Sequence, residues 1–310
     1  MKTAPRRRGL TENQQSLAGA LVVIALLPLI FGMIPLRGLA SALLPAGAAA
    51  GLGLGPDDLA AWQGALANFK PFADLSTWRF LGLGLAMTVA VSLVAIVVSL
   101  PLATVAALGR LSGRRWLRWP AIAGIEAVRA FPVLIMIFYI FTQFSRLSEA
   151  AGLPWLRSNS VPISVILALT LYTTVVNAET IRAGILSLDK GQTEAARSLG
   201  LSYGQAMWLV ILPQTFRRAL PPLIAQFVTL VKDTSLGAIV GLLELYHRGQ
   251  ILYQFNRNPM ETFFVIAVIY FGINYLLGQT AQAIERRVTG SRRVATGPNA
   301  GRMRQELPAG

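Results

Sequence analysis

Long, nearly uncharged apolar blocks constrain this chain more than any other feature. Each runs for about 20 residues, the length of one bilayer crossing, and a single water-soluble core of a 310-residue chain cannot hide several of them. Apolar residues make up 54% of the sequence and charged residues 14%, with a mean hydropathy of +0.55, which excludes an ordinary soluble domain. Inside a bilayer only α-helices or a closed barrel satisfy their own backbone groups. The alternating segments of about ten residues that mark a barrel are absent. The expected fold class is therefore an all-α polytopic membrane protein.

Candidate spans fall at 17–36, 80–108, 121–144, 161–183, 223–245 and 262–284, so about six transmembrane helices are expected. Arg6, Arg7 and Arg8 before the first apolar run resemble a signal peptide, but the run is longer than a signal core, and an uncleaved first span is the expectation. With the N-terminus in the cytoplasm, 18 basic residues fall on that side and seven on the other, the bias that the positive-inside rule demands. Both termini are then cytoplasmic. The net charge of +14 is explained by these loops without a nucleic-acid partner. Residues 1–79 comprise the N-terminal tail, the first span and an external loop with a short interfacial helix around Ala60 to Phe69. Residues 80–285 form the main transmembrane domain, and the Gly-, Pro- and Arg-rich stretch 286–310 reads as a disordered cytoplasmic tail. Without cysteine, and with His247 as the single histidine (expected in an external loop), no multi-Cys or multi-His metal site can form. Trp78, Trp116, Trp119 and Trp155 read as interfacial anchors.

The cytoplasmic loop 186–222 reads locally as helix, turn, helix. Helix formers run from Gln192 to Leu199, Gly200 stands where a left-handed cap belongs, and Ser202 with Gln205 spells a capping box. Pro213 and Pro221–Pro222 are expected to punctuate the second helix, leaving two short helices that meet at a corner of Ala195, Ala196 and Gly200. A plain structured connector would account for that much. The spacing of Glu194-Ala195-Ala196, Gly200 and Val210-Ile211-Leu212-Pro213, however, resembles the EAA loop of binding-protein-dependent ABC permeases.

The resemblance extends over about two-thirds of the chain, from 80 to 284. Glu126-Ala127-Val128-Arg129 with Pro132, Ala178-Glu179 with Arg182-Ala183-Gly184, Lys190-Gly191-Gln192 and Lys232-Asp233-Thr234-Ser235-Leu236 are similar to the polar amino-acid permeases, the histidine, glutamate, glutamine, arginine and opine group. The resemblance implies a type I ABC importer permease fold and a non-catalytic subunit that binds no cofactor. It implies as partners two ATPase subunits that consume ATP, an external amino-acid-binding protein and a second permease, identical or paralogous. It also implies an ATPase-coupling loop carried by Glu194, Ala195, Ala196, Gly200, Leu212 and Pro213. No GxxxxGK[ST] segment is present in this chain. The segment around Ala127 to Phe141 resembles glutamate-type members, which implies glutamate or aspartate as cargo. Many members have five spans, so the first span is a departure.

Charges inside spans require partners. Glu126 with Arg129, and Glu179 with Arg182, stand three residues apart and can pair on one helix face; Lys232 and Asp233 need partners on other helices. Such groups either tie helices together or line the substrate path. Arg129, Asn177, Glu179, Thr234 and Ser235 are the candidates for the path. Gly237 and Gly241 allow close packing or bending. A permease for another small solute would share the loop, whereas a secondary carrier would show inverted repeats, and none is apparent.

Overall fold

A computed structural model describes residues 56–289, and the expected first span at 17–36 and the stretch beyond 289 lie outside them. The described residues are helical and contain no strand. Helix α1 (Pro56–Ala67) and a 3-10 turn (Lys70–Ala73) lead into α2 (Leu75–Leu111), followed by α3 (Arg115–Ala130), α4 (Val133–Ala150), α5 (Pro154–Ser158) and α6 (Ser160–Leu186). Then come α7 (Lys190–Ser198), α8 (Tyr203–Ala206), a π turn (Met207–Ile211), α9 (Leu212–Asp233), a 3-10 segment (Thr234–Val240), α10 (Leu245–Asn256) and α11 (Pro259–Thr289). Five stretches are long and apolar enough to cross a membrane: α2, α4, α6, the rod Tyr203–Val240, and Pro259–Ile284 within α11.

At 37 residues, α2 is ~55 Å long and overshoots a hydrocarbon layer of roughly 30 Å. Asp74 starts it by accepting the backbone N–H of Ser76 at 3.1 Å and its hydroxyl at 2.6 Å. Within it, the hydroxyls of Ser92, Ser99 and Thr104 donate to carbonyls of their own helix, so none needs another polar partner in an apolar setting.

Three helix boundaries depart from expectation. The stretch 121–144 is not one span but the end of α3 and the start of α4, separated at Phe131 and Pro132. Phe131 is extended, with ψ 130°, because a residue preceding proline is pushed out of the helical region; the apolar crossing shifts to Val133–Ala150. Nor do the prolines end the second hairpin helix, since Tyr203–Val240 is continuous. Pro213 follows directly on the π turn, whose wider loop re-registers hydrogen bonds around a residue without an N–H. Pro221 and Pro222 deprive the carbonyls of Arg217 and Arg218 of their usual donors without ending α9. Helix α11 likewise runs to Thr289, past the expected start of a disordered tail at 286.

The described chain forms two compact units, whose boundaries fall inside α2, α10 and α11. In the unit of 84–247 and 272–289, α6 is the central helix, packed against α3, α4, α9 and the 3-10 segment. Val165, Ala168 and Leu169 of α6 join Val91, Ala95, Ile137, Leu230 and Leu242 in one cluster, while Val175, Ala178 and Ile181 join Ala103, Ala107 and Ile125 in another. Small residues set the spacing. A Cβ on Gly184 would lie 3.0 Å from the Thr215 methyl, and one on Gly237 would lie 2.9 Å from Leu242, so both glycines pack rather than bend. Gly241, at φ +88°, caps the 3-10 segment. In the unit of 56–83 and 248–271, Asn68 donates to Glu261 and its carbonyl accepts from Asn258, both at 2.8 Å. The Arg248 guanidinium lies 4.7 Å from the centre of the Phe80 ring.

Candidate functional site

The hairpin of α7 and α8 is built from its caps outward. Asp189 caps α7 by accepting the Gly191 N–H at 2.8 Å. At the other end Gly200 adopts φ +85°. Its N–H donates to the Arg197 carbonyl at 2.9 Å and that of Leu201 to the Ala196 carbonyl at 3.3 Å. This bond pair satisfies the carbonyls that a helix end leaves over, and it requires a left-handed residue. Ser202 and Gln205 then cap α8 reciprocally: Ser202 N–H donates to Gln205 Oε1 at 2.9 Å, and Gln205 N–H to Ser202 Oγ at 3.4 Å. A turn specified at both sides holds the two helices at one angle.

Of the expected small-residue corner, only Ala196 lies inside; Ala195 and Gly200 are exposed. Leu188, Met207, Ile211 and Leu212 form the hairpin's own core, backed by Leu108, Ile185 and Phe216. Gln214 of α9 donates to Gln192 of α7 at 3.1 Å, joining the hairpin to α9, and the Arg218 guanidinium of α9 donates to the Ser187 carbonyl at the end of α6 at 2.5 Å. Leu212 thus fastens the hairpin, whereas Glu194 and Pro213 face outward with Leu199, Trp208 and Leu209. Leu199, 84% exposed, is an apolar side chain with no cover among the described residues.

Beside the hairpin lies a charge cluster. Arg110 Nη1, in the last turn of α2, stands 3.1 Å from Glu126 Oε1 on α3 and 2.5 Å from Glu179 Oε1 on α6. Arg182 Nε donates to the other Glu179 oxygen at 3.0 Å. The expected Glu179–Arg182 pair is present. Glu126 pairs with Arg110, and Arg129 is exposed and forms no ion pair among the described residues. Arg110 was legible in the sequence only as one of several loop arginines, since its two partners lie 16 and 69 positions away.

The remaining path candidates are dispersed. Asn177 is buried; its amide donates to Ser99 Oγ at 3.2 Å and its Oδ1 has no hydrogen-bond partner among the described residues. Thr234 is buried and Ser235 half-buried, and their hydroxyls bond carbonyls of their own helix at 2.8 and 2.7 Å. Lys232 and Asp233 form no ion pair among the described residues.

The sequence reading missed Glu244, which is fully buried. It accepts the N–H of Tyr246 at 2.9 Å and of His247 at 2.7 Å at the start of α10, while Thr88 Oγ1 accepts the Leu245 N–H at 3.2 Å. A lone acidic residue in the apolar run Val240–Tyr246 was the available signal. His247, expected in a loop, stands in the first turn of α10.

Residues 99–290 match a family profile described as "binding-protein-dependent transport system inner membrane component". The chain is 36% identical over 226 residues to the glutamate transport system permease protein GluD of Corynebacterium glutamicum, covering 73% of this chain and 81% of that one. It is 33% identical to the L-cystine transport system permease protein TcyB of Bacillus subtilis, over 69% of this chain and 88% of that one. Among solved structures, an amino acid ABC transporter with histidines superimposes with a TM-score of 0.58 at 26% identity, over 69% of this chain and 96% of that one. The inward-facing MetNI methionine ABC transporter shares the fold, at a TM-score of 0.53 and 23% identity over 68% of this chain and 94% of that one.

Proposed function

The chain belongs to the binding-protein-dependent transport system inner membrane components, and on that premise we propose that it is the permease subunit of an ATP-binding-cassette importer for polar amino acids. It is a multi-pass inner-membrane protein and a transport component. Two such subunits, identical or paralogous, surround a path of alternating access; an external binding protein delivers the amino acid, and two ATPase subunits on the cytoplasmic side consume the ATP. The glutamate permease relative and the similarity around Ala127 to Phe141 favour an acidic amino acid or its amide as cargo.

The observation that carries this reading is the hairpin itself. It is rigid by its caps, joined to α9, and presents Glu194, Ala195 and Leu199 outward. A short helix so held can seat in a groove of an ATPase subunit and pass its displacement into the spans as rigid-body motion. On this reading Arg110, Glu126, Glu179 and Arg182 are clasps that make α2, α3 and α6 move together. Asn177, whose buried oxygen has no hydrogen-bond partner among the described residues, remains the better candidate for contact with cargo or water; Thr234, Ser235 and Arg129 are weaker ones.

The test is co-expression with the neighbouring ATPase, purification of the complex, and measurement of ATP hydrolysis for the wild type, Glu194→Lys and Gly200→Asp. Loss of the ATPase subunit, or of hydrolysis stimulated by the loaded binding protein, is expected in both variants. A complex that forms and hydrolyses ATP normally in both would remove the coupling role. A permease for another solute is recognised in the same preparation by stimulation with a binding protein carrying that solute instead.

A further inference from the structure

From the N-terminal half of α3, we infer that this chain carries a binding site for anionic phospholipid headgroups, formed by Arg114, Arg115, Trp116, Arg118 and Trp119. Every residue from Gly113 to Pro120 is exposed. Trp116 and Trp119 are 67% and 61% exposed, values that water-soluble surfaces rarely give to indoles. None of the three arginines forms an ion pair among the described residues, and no acidic residue stands between Gly113 and Pro120. The rest of α3 is different: Ile125 is buried with Ala103, Ala107 and Ile181, and Val128 packs beside it. One helix is thus docked at its C-terminal half and bare at its N-terminal half.

Its place beside the spanning helix α2 follows from one contact. A Cβ on Gly109 would lie 3.2 Å from that of Ala121, which sets Ala121 level with the last turn of the apolar helix α2. Arg118 and Arg115 precede Ala121 by one and two helical turns, which at ~1.5 Å per residue places them about 5 and 9 Å further along α3. The cationic and indole side chains therefore cluster beside the end of a membrane-crossing helix, on the side where headgroups are met. Tryptophan is at home there, with its ring among acyl chains and its N–H among phosphates. Clustered arginines next to a span attract anionic lipid over zwitterionic lipid by net charge, and their guanidiniums make forked hydrogen bonds to the phosphate of either. An acidic protein surface would complement the charges but would leave the two indoles at the bilayer boundary without a use.

The test uses the full chain in its purified complex, reconstituted into nanodiscs of defined lipid. Trp116 and Trp119 emission is isolated as the difference between wild type and Trp116→Phe/Trp119→Phe, and quenching by brominated phosphatidylglycerol is compared with that by brominated phosphatidylcholine. Phosphatidylglycerol should quench this component at ~100-fold lower mole fraction, in keeping with three arginines at a membrane surface. Arg114→Gln/Arg115→Gln/Arg118→Gln should abolish that preference and leave quenching by the choline lipid. If that variant does not fold, the wild type still decides, because raising ionic strength should erode the preference. Equal quenching by both lipids, a preference untouched by salt or by the substitutions, or quenching that appears only once the ATPase subunit is removed would each overturn the site, the last in favour of a protein contact.

Discussion

At the residue scale, the telling groups are those whose partners are far away in sequence. Arg110 is 21% exposed and touches carboxylates on two other helices, so its interactions belong between the weak surface pair and the costly buried one. Arg110→Ala and Glu179→Ala are therefore expected to be non-additive, with a coupling of about 1 kcal/mol, measured as a double-mutant cycle on thermal unfolding in detergent. Simple additivity would reduce the cluster to crystal-like proximity without energetic meaning. The Glu179–Arg182 pair was legible because three positions along a helix fix a shared face. The Arg110 contacts were not, because no spacing rule reaches from α2 to α3 and α6. The same holds for the buried contact of Glu244 with the Thr88 hydroxyl of α2, 156 positions away, whereas its bonds to the Tyr246 and His247 N–H groups are local.

At the element scale, caps were readable and helix continuity was not. Gly200, Ser202 with Gln205, and the α1 helix near Ala60–Phe69 all follow local rules of backbone geometry and appear where those rules put them. Pro213, Pro221 and Pro222 broke the rule for prolines because a π turn and packing against α6 hold the rod Tyr203–Val240 together. Asp74 supplies an element-scale prediction. Hydrogen bonds from the Ser76 hydroxyl and N–H hold its carboxyl below the usual carboxylate range. The charged form is the one stabilised, so its support for the first turn of α2 is complete above the ordinary carboxylate value and is lost as pH falls through the lowered one. Protection of the amides at the start of α2, relative to their intrinsic exchange at each pH, should fall on acidification, and Asp74→Ala should show the lowered protection already at neutral pH. No difference between the variant and the parent at neutral pH would mean that the cap does not hold that turn.

For the whole molecule, the proposed role predicts how uptake is driven. In proteoliposomes carrying the full complex, accumulation of the amino acid should require ATP on the face that bears the Lys190–Ser198 hairpin and the binding protein on the other. Imposed proton or sodium gradients should drive none, and uptake on a gradient alone would instead establish a secondary carrier. Several large features of this protein needed only the sequence. Apolar blocks of bilayer length dictate an all-helical membrane chain, because an unpaired backbone cannot be left in hydrocarbon. The motif around Glu194 to Pro213 locates the hairpin through local turn chemistry. Tertiary structure alone decided which charges meet and that Tyr203–Val240 is one rod. Those outcomes depend on close approach between helices distant in sequence, as at Gly184 against Thr215, and no local propensity encodes such contacts.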